Sequence, residues 1–195
     1  MPFPHAADPR VAPVEDPGPE LSALLARTRS DGSGVPMVIF RTMARHPRLL
    51  QGYNVLADFF RARQELSARD RELVILRTAW RSGSEYEWTQ HAAIGARAGV
   101  SQDEMKLIAQ PGLAGPWPPR DAALLRATDE VMDQVDLSDE TWAELSEVHS
   151  ESQIIELVML AGFYRMVAGF LNATGVGEKS ELPCWPTGET PEEAR

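Results

Sequence analysis

Cysteine is almost absent from this sequence of 195 residues, because Cys184 is the only one. A single cysteine excludes an intrachain disulfide, a Cys-x-x-Cys redox pair and a cysteine-based metal cage. Two-thiol redox chemistry therefore has no residues with which to operate in this chain.

Basic residues are also scarce. Lysine and arginine total 19 against 29 aspartates and glutamates, which gives a formal charge of −10. Proteins that bind nucleic acid draw most of their affinity from clustered Lys and Arg. We therefore expect no nucleic-acid partner.

Long apolar runs are the third absence. No segment approaches the ~18–20 apolar residues that a membrane span needs. The first ten residues, MPFPHAADPR, lack the cationic and apolar regions of a signal peptide. We expect a soluble, cytoplasmic protein without a membrane partner.

Strand-period alternation is missing too, whereas helical spacing recurs along the chain, so the predicted fold class is all-α. Six prolines in residues 1–19 predict an extended N-terminal arm. Residues 20–178 are predicted to form one domain with an internal linker at 110–119, and residues 179–195 an acidic tail that contains proline.

Serines mark several predicted helix starts. Ser67, Ser101 and Ser150 begin capping-box patterns, and Ser138 is a single cap. The predicted helices cover about 20–29, 36–46, 47–63, 67–82, 84–98, 101–109 and 120–135, with one more after Ser138 and a long apolar one after Ser150. The helix after Ser67 is apolar on nearly every side, which is typical of a helix buried within a bundle.

An approximate internal repeat relates two of these segments. Residues 67–80 and 150–164 share a capping serine and an acid followed by an apolar run, and each segment continues to a Gly-Val pair, at 99–100 and 175–176. The repeat predicts a core built from two helical hairpins.

The stretch SGSEYEWTQH, residues 82–91, carries the polar residues of greatest interest. Ser84, Glu87 and His91 lie three and four apart, so a helix places them in one stripe. Glu72 lies on the face of the preceding helix that is expected to be buried, and it requires a partner there. If the two helices form a hairpin, His91 faces Glu72 and is that partner.

Three interpretations fit this spacing. Glu87 and His91 can be an ordinary surface pair, worth ~0.3 kcal/mol, with Glu72 compensating its helix dipole. Glu72, Glu87 and His91 can bind a metal, although a third strong ligand type is missing. In the third, Glu and His exchange protons with a small organic acid in a half-apolar pocket walled by Tyr86 and Trp88.

The motifs RELVILRTAW, G-S-E-Y-E-W-x-x-H and A-G-V-S together resemble the carboxymuconolactone decarboxylase family, which includes the alkylhydroperoxidase D-like proteins. The resemblance covers about residues 45–176. It implies an all-α fold, a homotrimer or homohexamer, and sites between helices, often near a subunit boundary.

In the peroxidase branch of that family the site resembles an acid, a Cys-x-x-Cys and a histidine on two successive helices. Glu72 matches the acid and His91 the histidine, while Ser84 and Glu87 stand where the cysteines would be. Peroxide reduction by this route requires a thiolate and a resolving thiol, and it cannot proceed without them. Cys184 lies in the tail, far from the motif along the sequence.

The cysteine-free branch looks like the decarboxylase side of the family, which needs no cofactor. We expect a cofactor-independent lyase or isomerase that acts on a small carboxylated or carbonyl compound such as a lactone acid. His91 is the expected proton donor, Glu72 its orienting partner and Glu87 a second acid. Ser84, Tyr86 and Trp88 are expected to contact substrate, and Arg77 or Arg97 can supply substrate-binding charge.

Two other classes stay open at this stage. The chain can be a non-catalytic ligand-binding or assembly protein of the same fold, or a metal-dependent enzyme. The first alternative can be distinguished from an enzyme by whether Glu72 and His91 line a solvent-connected cavity or are sealed. Elemental analysis tests the second alternative.

Overall fold

A computed structural model describes residues 9–113, 115–177 and 185–186. Within these residues the chain forms nine helices and no strand, with one isolated bridge between Ser30 and Pro36. The all-α prediction is confirmed. The helices are α1 (Pro19–Leu25), α2 (Val38–Met43), α3 (Pro47–Ala62), α4 (Ala68–Arg81), α5 (Glu85–Arg97), α6 (Gln102–Ile108), α7 (Pro119–Gln134), α8 (Asp139–Val148) and α9 (Glu151–Thr174).

Side-chain caps explain where several helices begin. Ser101 and Glu104 form both bonds of a capping box, and the hydroxyls of three other serines accept the amide three residues ahead. Those three serines are Ser67, Ser138 and Ser150. An N-terminal amide has no partner within its own helix, so each cap fixes a helix start.

Several boundaries differ from prediction, and α2 covers Val38–Met43 rather than 36–46. Helix α1 ends at Leu25 rather than near residue 29, because the hydroxyl and amide of Thr28 both bond the Leu25 carbonyl. Helix α7 begins at Pro119, so the last residue of the predicted linker is already helical. Proline suits the first position of a helix, where its missing N–H costs nothing.

The chain divides into two compact units. The described parts of the first are residues 64–113, 115–170 and 185–186, and those of the second are 9–63 and 171–177. Whether residues 20–178 fold as one domain stays a prediction.

Helix α4 is the centre of the first unit. Ten of its residues are buried, from Asp70 to Trp80, and it packs against α5, α6 and α7. The prediction of a helix buried on nearly every side is confirmed, because apolar residues occupy all of its faces.

The second unit contains α1, α2, α3 and the described part of the predicted N-terminal arm. The amides of Arg10 and Val11 donate to the Thr174 carbonyl, and the Val14 amide donates to the Arg41 carbonyl. Backbone bonds therefore hold residues 10–14 in place within this unit, as an extended, proline-rich segment can be held.

The second copy of the predicted repeat is not a hairpin. Helix α9 runs without a break over 24 residues. The two copies nevertheless end alike, because Gly99 and Gly175 both have positive φ and the amides of Val100 and Val176 reach back five residues. This 6→1 bond is the helix-ending motif that glycine permits.

Helix α9 also corrects the expectation that no segment is apolar enough to span a membrane. By length and composition it passes that test, with a mean hydropathy of 1.8 over its most apolar 18 residues. Half of that window is buried within the protein, and a core helix can pass the same test.

Candidate functional site

Helices α4 and α5 form a hairpin that brings Glu72 and His91 together. Oε2 of Glu72 lies 2.7 Å from Nδ1 of His91, and Oε1 accepts a 2.8 Å bond from Nε of Arg71. The predicted pairing of Glu72 with His91 is confirmed. The buried carboxylate is bonded through both oxygens, as a charge in an apolar interior must be.

Gly95 lets the two helices approach closely beside this pair. A Cβ atom at Gly95 would lie 3.1 Å from Cδ1 of Leu76 and 3.6 Å from Cβ of Glu72. His91 and Gly95 are one turn apart on α5, so they lie on the same face. The absence of a side chain at residue 95 therefore helps to set the distance across which Glu72 reaches His91.

We expect Gly95→Ala to lower activity several-fold and stability by about 1 kcal/mol. Overpacking lowers stability by about 1–3 kcal/mol. The greater helix preference of Ala offsets about 0.5–1 kcal/mol of that loss. Urea unfolding and turnover are the measurements. Gly52→Ala is the matched control, because a Cβ there meets nothing within 4 Å and the change should stabilise α3. Equal effects at both positions would contradict the packing argument.

The electrostatics of the pair favour an ionised Glu72. Burial alone would raise the pKa of Glu72, but the hydrogen bond and charge of His91, together with those of Arg71, outweigh burial and hold that pKa below its ordinary range. An ionised carboxylate accepts, so Nδ1 of His91 donates and, in the neutral ring, Nε2 carries the lone pair. Tyr164 of α9 meets the imidazole edge-on, with ring centroids 5.1 Å apart.

Because the pKa of Glu72 is lowered in the folded state, this carboxylate should stabilise the protein above about pH 4.3, its unfolded pKa. The contribution is lost as the pH falls from there through the folded pKa. We expect the difference in unfolding free energy between wild type and Glu72→Gln to shrink on acidification. Urea titrations at pH 7, 5 and 4 measure it, and a difference that grows on acidification would contradict this sign.

Ser84 and Glu87 are buried at the beginning of α5. They are 0% and 3% exposed, and the Ser84 hydroxyl and Oε2 of Glu87 have no hydrogen-bond partner among the described residues. Burial raises the pKa of Glu87 well above its ordinary range. The alternative of a surface pair between Glu87 and His91 is wrong, because Glu87 is not at the surface and His91 bonds Glu72.

Tyr86 and Trp88 are buried as well. The indole of Trp88 packs on that of Trp185, with centroids 5.4 Å apart, and Trp185 also meets Trp80 at 5.1 Å. Cys184 lies outside the described residues, but its neighbour Trp185 contacts the motif. Trp185 therefore lies beside α5 although it is distant from that helix along the sequence.

Of the two candidate substrate-binding arginines, Arg77 is fully buried and bonded to its own protein. Nε and Nη2 each donate to Asp129 at 2.7 Å, and Nη1 donates to the carbonyls of Ile108 and Gln110. These donors are satisfied, so Arg77 supports the fold and is not free to bind substrate. Arg97 is exposed in the last turn of α5.

No group of three or more His, Cys, Asp or Glu side chains within the described ranges is placed to hold a metal ion. A cavity of about 470 Å³ is lined by residues that include Trp80, Arg81, Asp133 and Arg165. None of the six predicted site residues lines it. Glu72 is sealed at 1% exposure, whereas the side chain of His91 is 12% exposed and reaches the surface.

Sequence reasoning missed Arg71, Tyr164 and Trp185. Residues adjacent in sequence do not face each other on a helix, so nothing in the pattern indicates that Arg71 bonds Glu72. Trp185 lies about a hundred positions from Trp88, and no local pattern links them. Only the apolar repeat around Tyr164 carried a signal, because it places α9 in the core.

The sequence profile of the carboxymuconolactone decarboxylase family matches residues 47–130, which include α4 and α5. No curated protein sequence matches the chain significantly.

Three solved structures share the fold at low identity. The alkylhydroperoxidase AhpD core of a peroxidase-related protein from Ralstonia eutropha JMP134 is 21% identical, has a TM-score of 0.72, and the match covers 90% of this chain and 95% of that one. A peroxidase-related protein from Silicibacter sp. TM1040 is 14% identical, with a TM-score of 0.73 and coverage of 90% and 96%. The debrominase Bmp8, in a complex with 2,3,4-tribromopyrrole, is 17% identical, with a TM-score of 0.67 and coverage of 93% and 96%.

The profile match includes the helices that carry Glu72 and His91, and the structural matches extend over nine tenths of the chain. Residues 47–130 match the carboxymuconolactone decarboxylase family, and the chain has the all-α fold of these alkylhydroperoxidase D-like structures.

Proposed function

We propose that the protein is a cofactor-independent lyase or isomerase that moves protons on a small carboxylated or carbonyl compound, such as a lactone acid. The observation that supports this most is the 2.7 Å bond between Glu72 and Nδ1 of His91. Such a bond fixes the tautomer and orientation of the ring, which proton transfer through Nε2 requires.

The site suits the loss of CO2 from an acid in which the carbon that bears the carboxylate is next to a carbonyl group, or is conjugated with one through a C=C bond. As the C–C bond breaks, its electron pair moves onto the carbonyl oxygen and gives an enolate. His91, protonated at Nε2, then gives one proton to carbon and recovers it from solvent. Glu72 acts through His91 as a positioning residue, since its carboxylate stabilises the imidazolium.

Peroxide reduction and dehalogenation are the competing reactions, because structures of the same fold are named for them. Two of the similar structures are called peroxidase-related and another is a debrominase. At the two positions where the resemblance expects thiols, this chain has Ser84 and Glu87. A serine hydroxyl and a carboxyl cannot form the disulfide that the thiol cycle needs.

The test is a screen of purified protein against lactone acids and β-keto acids, with CO2 release and hydrogen exchange from D2O as the two readouts. We expect at least one compound to be turned over without added metal or cofactor. Parallel assays follow hydroperoxide consumption with a dithiol reductant and bromide release from a bromopyrrole. Turnover in those assays alone would overturn the proposal.

A non-catalytic, ligand-binding role is the second candidate, and the burial of Glu72 and Glu87 favours it. A binding protein would retain a compound from the screen unchanged. Equilibrium dialysis followed by mass spectrometry distinguishes the two candidates, because an enzyme returns product and a binding protein returns the added compound.

Self-association and a cytoplasmic location stay predictions. An apolar stripe on α9 supports self-association: Ile155, Met159 and Met166 are 62%, 53% and 59% exposed and lie four and seven residues apart. Exposed apolar stripes of this kind are typical of helix contacts between subunits. We expect light scattering to give a trimer or hexamer and Met159→Glu to reduce that mass. A monomeric wild type would contradict this prediction.

A further inference from the structure

The first turn of α5 has the sequence of a capping box that does not close. Ser84 and Glu87 have the Ser-x-x-Glu spacing of Ser101 and Glu104, yet only the second pair forms its reciprocal bonds. The hydroxyl of each other N-cap serine accepts an amide of its helix, namely Ser67, Ser138 and Ser150. Ser84 is therefore the exception among the serines that precede helices α4, α5, α6, α8 and α9.

The backbone explains why the Glu87 half of the box stays open. The Ser84 amide donates to the Ala79 carbonyl at 3.0 Å, at the end of α4. A capping box requires that same amide to bond the acid three residues later. Glu87 therefore has no amide to accept from at residue 84, and α5 begins with the bond from the Trp88 amide to the Ser84 carbonyl.

The side chains of Ser84 and Glu87 are both buried, and each has a polar atom without a hydrogen-bond partner. The Ser84 hydroxyl and Oε2 of Glu87 lie in residues that are 0% and 3% exposed, and neither atom has a partner in the described part of the chain. A buried polar atom without a partner loses its hydration and gains no bond in exchange. A functional site is a common reason for a protein to keep such atoms.

Among the described residues, no Lys, Arg or His forms an ion pair with Glu87. The arginines of α4 are bonded to other acids: Arg69 to Glu104 and Asp121, Arg71 to Glu72, Arg77 to Asp129, and Arg81 to Asp133. On α5, His91 is bonded to Glu72, and burial is the cause of the raised pKa of Glu87. An unpaired carboxyl in an apolar interior keeps its proton and can donate a hydrogen bond.

We propose that Ser84 and Glu87 hold the substrate carbonyl oxygen on which negative charge develops, each donating one hydrogen bond to it. This rests on the proposed function and narrows the substrate to small carbonyl compounds that react through an enolate. The positive end of α5 favours the same charge. The proton of Glu87 stays on its carboxyl throughout, and no covalent bond to the enzyme forms.

Access to this pair requires a local movement, because both side chains are closed to solvent. The turn between α4 and α5 contains Gly83, with φ +59°. Trp185 packs on Trp88 next to Glu87. Displacement of the turn at Gly83 is the movement that this inference requires.

The activity test compares three variants on a compound that the wild type turns over. We expect Ser84→Ala and Glu87→Leu each to lower kcat by about 10²–10³-fold, the usual effect of losing one such donor. Glu87→Gln retains a donor and should keep clearly more activity than Glu87→Leu. The activity of the wild type should fall as rising pH deprotonates Glu87. The activity of Glu87→Gln should not fall in this way. Equal losses in both Glu87 variants, or an unchanged kcat in Ser84→Ala, would overturn the inference.

A second test needs no turnover and separates this inference from the proposed function. The infrared difference spectrum between wild type and Glu87→Gln at neutral pH should contain the C=O stretch of a protonated carboxyl. Acetylacetone, an enolisable diketone, should shift that band to lower frequency. A carboxylate band, or a band that acetylacetone does not move, overturns the inference. A responsive band in a protein that turns over no compound supports this pair while the proposed function fails.

Discussion

His91→Ala should reduce turnover by about 10²–10⁴-fold, the range that a positioned proton-transfer group contributes. The imidazole is the group of the Glu72–His91 pair that reaches the surface, and its Nε2 is the nitrogen that Glu72 leaves open. His91→Gln should lose as much activity as His91→Ala, because an amide can bond Glu72 but cannot exchange a proton near neutral pH. Steady-state kinetics on the compound found by the screen gives the measurement.

The controls for this prediction concern folding and specificity. His46→Ala is the matched histidine change, because His46 caps α3 through a 3.3 Å bond to the Leu49 amide and takes no part in the pair. It should leave kcat unchanged. Circular dichroism and gel filtration should be the same for both histidine variants and wild type. Full activity in folded His91→Ala would show that the pair has no catalytic role.

Arg77→Met should destabilise the protein by about 3–5 kcal/mol, the usual cost of removing one partner of a buried ion pair. Asp129 would lose both of its 2.7 Å bonds, and the carbonyls of Ile108 and Gln110 would lose theirs. Urea unfolding followed by circular dichroism measures the change. Arg77→Lys should give an intermediate loss, because an ammonium group cannot form the bidentate pair.

The double variant Arg77→Met, Asp129→Leu separates two costs. One is the loss of the ion pair itself, and the other is the Asp129 carboxylate that remains without Arg77. If the single change is costly because it leaves Asp129, which is 18% exposed, with only its 3.8 Å ion pair to Arg81, the double variant should recover part of the stability. A single-variant loss below about 1 kcal/mol would indicate that Arg77 is not the structural ion-pair residue inferred from its contacts.

Helix positions were predictable from local chemistry. Ser67, Ser101, Ser138 and Ser150 mark helix starts because the bonds that cap a helix join residues only three apart. The pairing of Glu72 with His91 also follows from local rules, since a hairpin of two helices places their facing stripes in contact. These predictions required only periodicity and the need of a buried carboxylate for a partner.

The environment of Glu87 was not predictable in the same way. Its burial and lack of a partner depend on where the Ser84 amide finds its acceptor, and the packing of its neighbour Trp88 depends on Trp185, about a hundred residues away. The same applies to Arg77, whose sequence position suggests a substrate-binding cation. Its role as an ion-pair residue of the core depends on Asp129 in α7.

The resemblance of residues 150–164 to 67–80 predicted a second hairpin, and the prediction was wrong because no residue interrupts α9. In the first copy, Gly83, with positive φ, separates α4 from α5. At the corresponding part of the second copy, the chain continues as FYRMVAGFL, which contains no proline and keeps its apolar residues at helical spacing. Repeated sequence therefore indicated related helix ends but not the same number of helices.

The most direct test of the central claim, that Glu72 orients His91 for proton transfer, is the tautomer of His91. Nuclear magnetic resonance of 15N-labelled protein at a pH where the ring is neutral should show the proton on Nδ1 and a bare Nε2. The Glu72→Gln variant should shift this preference, while His46 serves as an internal reference. A neutral His91 that carries its proton on Nε2 would contradict the account, because Nδ1 would then not donate to Glu72 and this bond would not orient the ring for proton transfer.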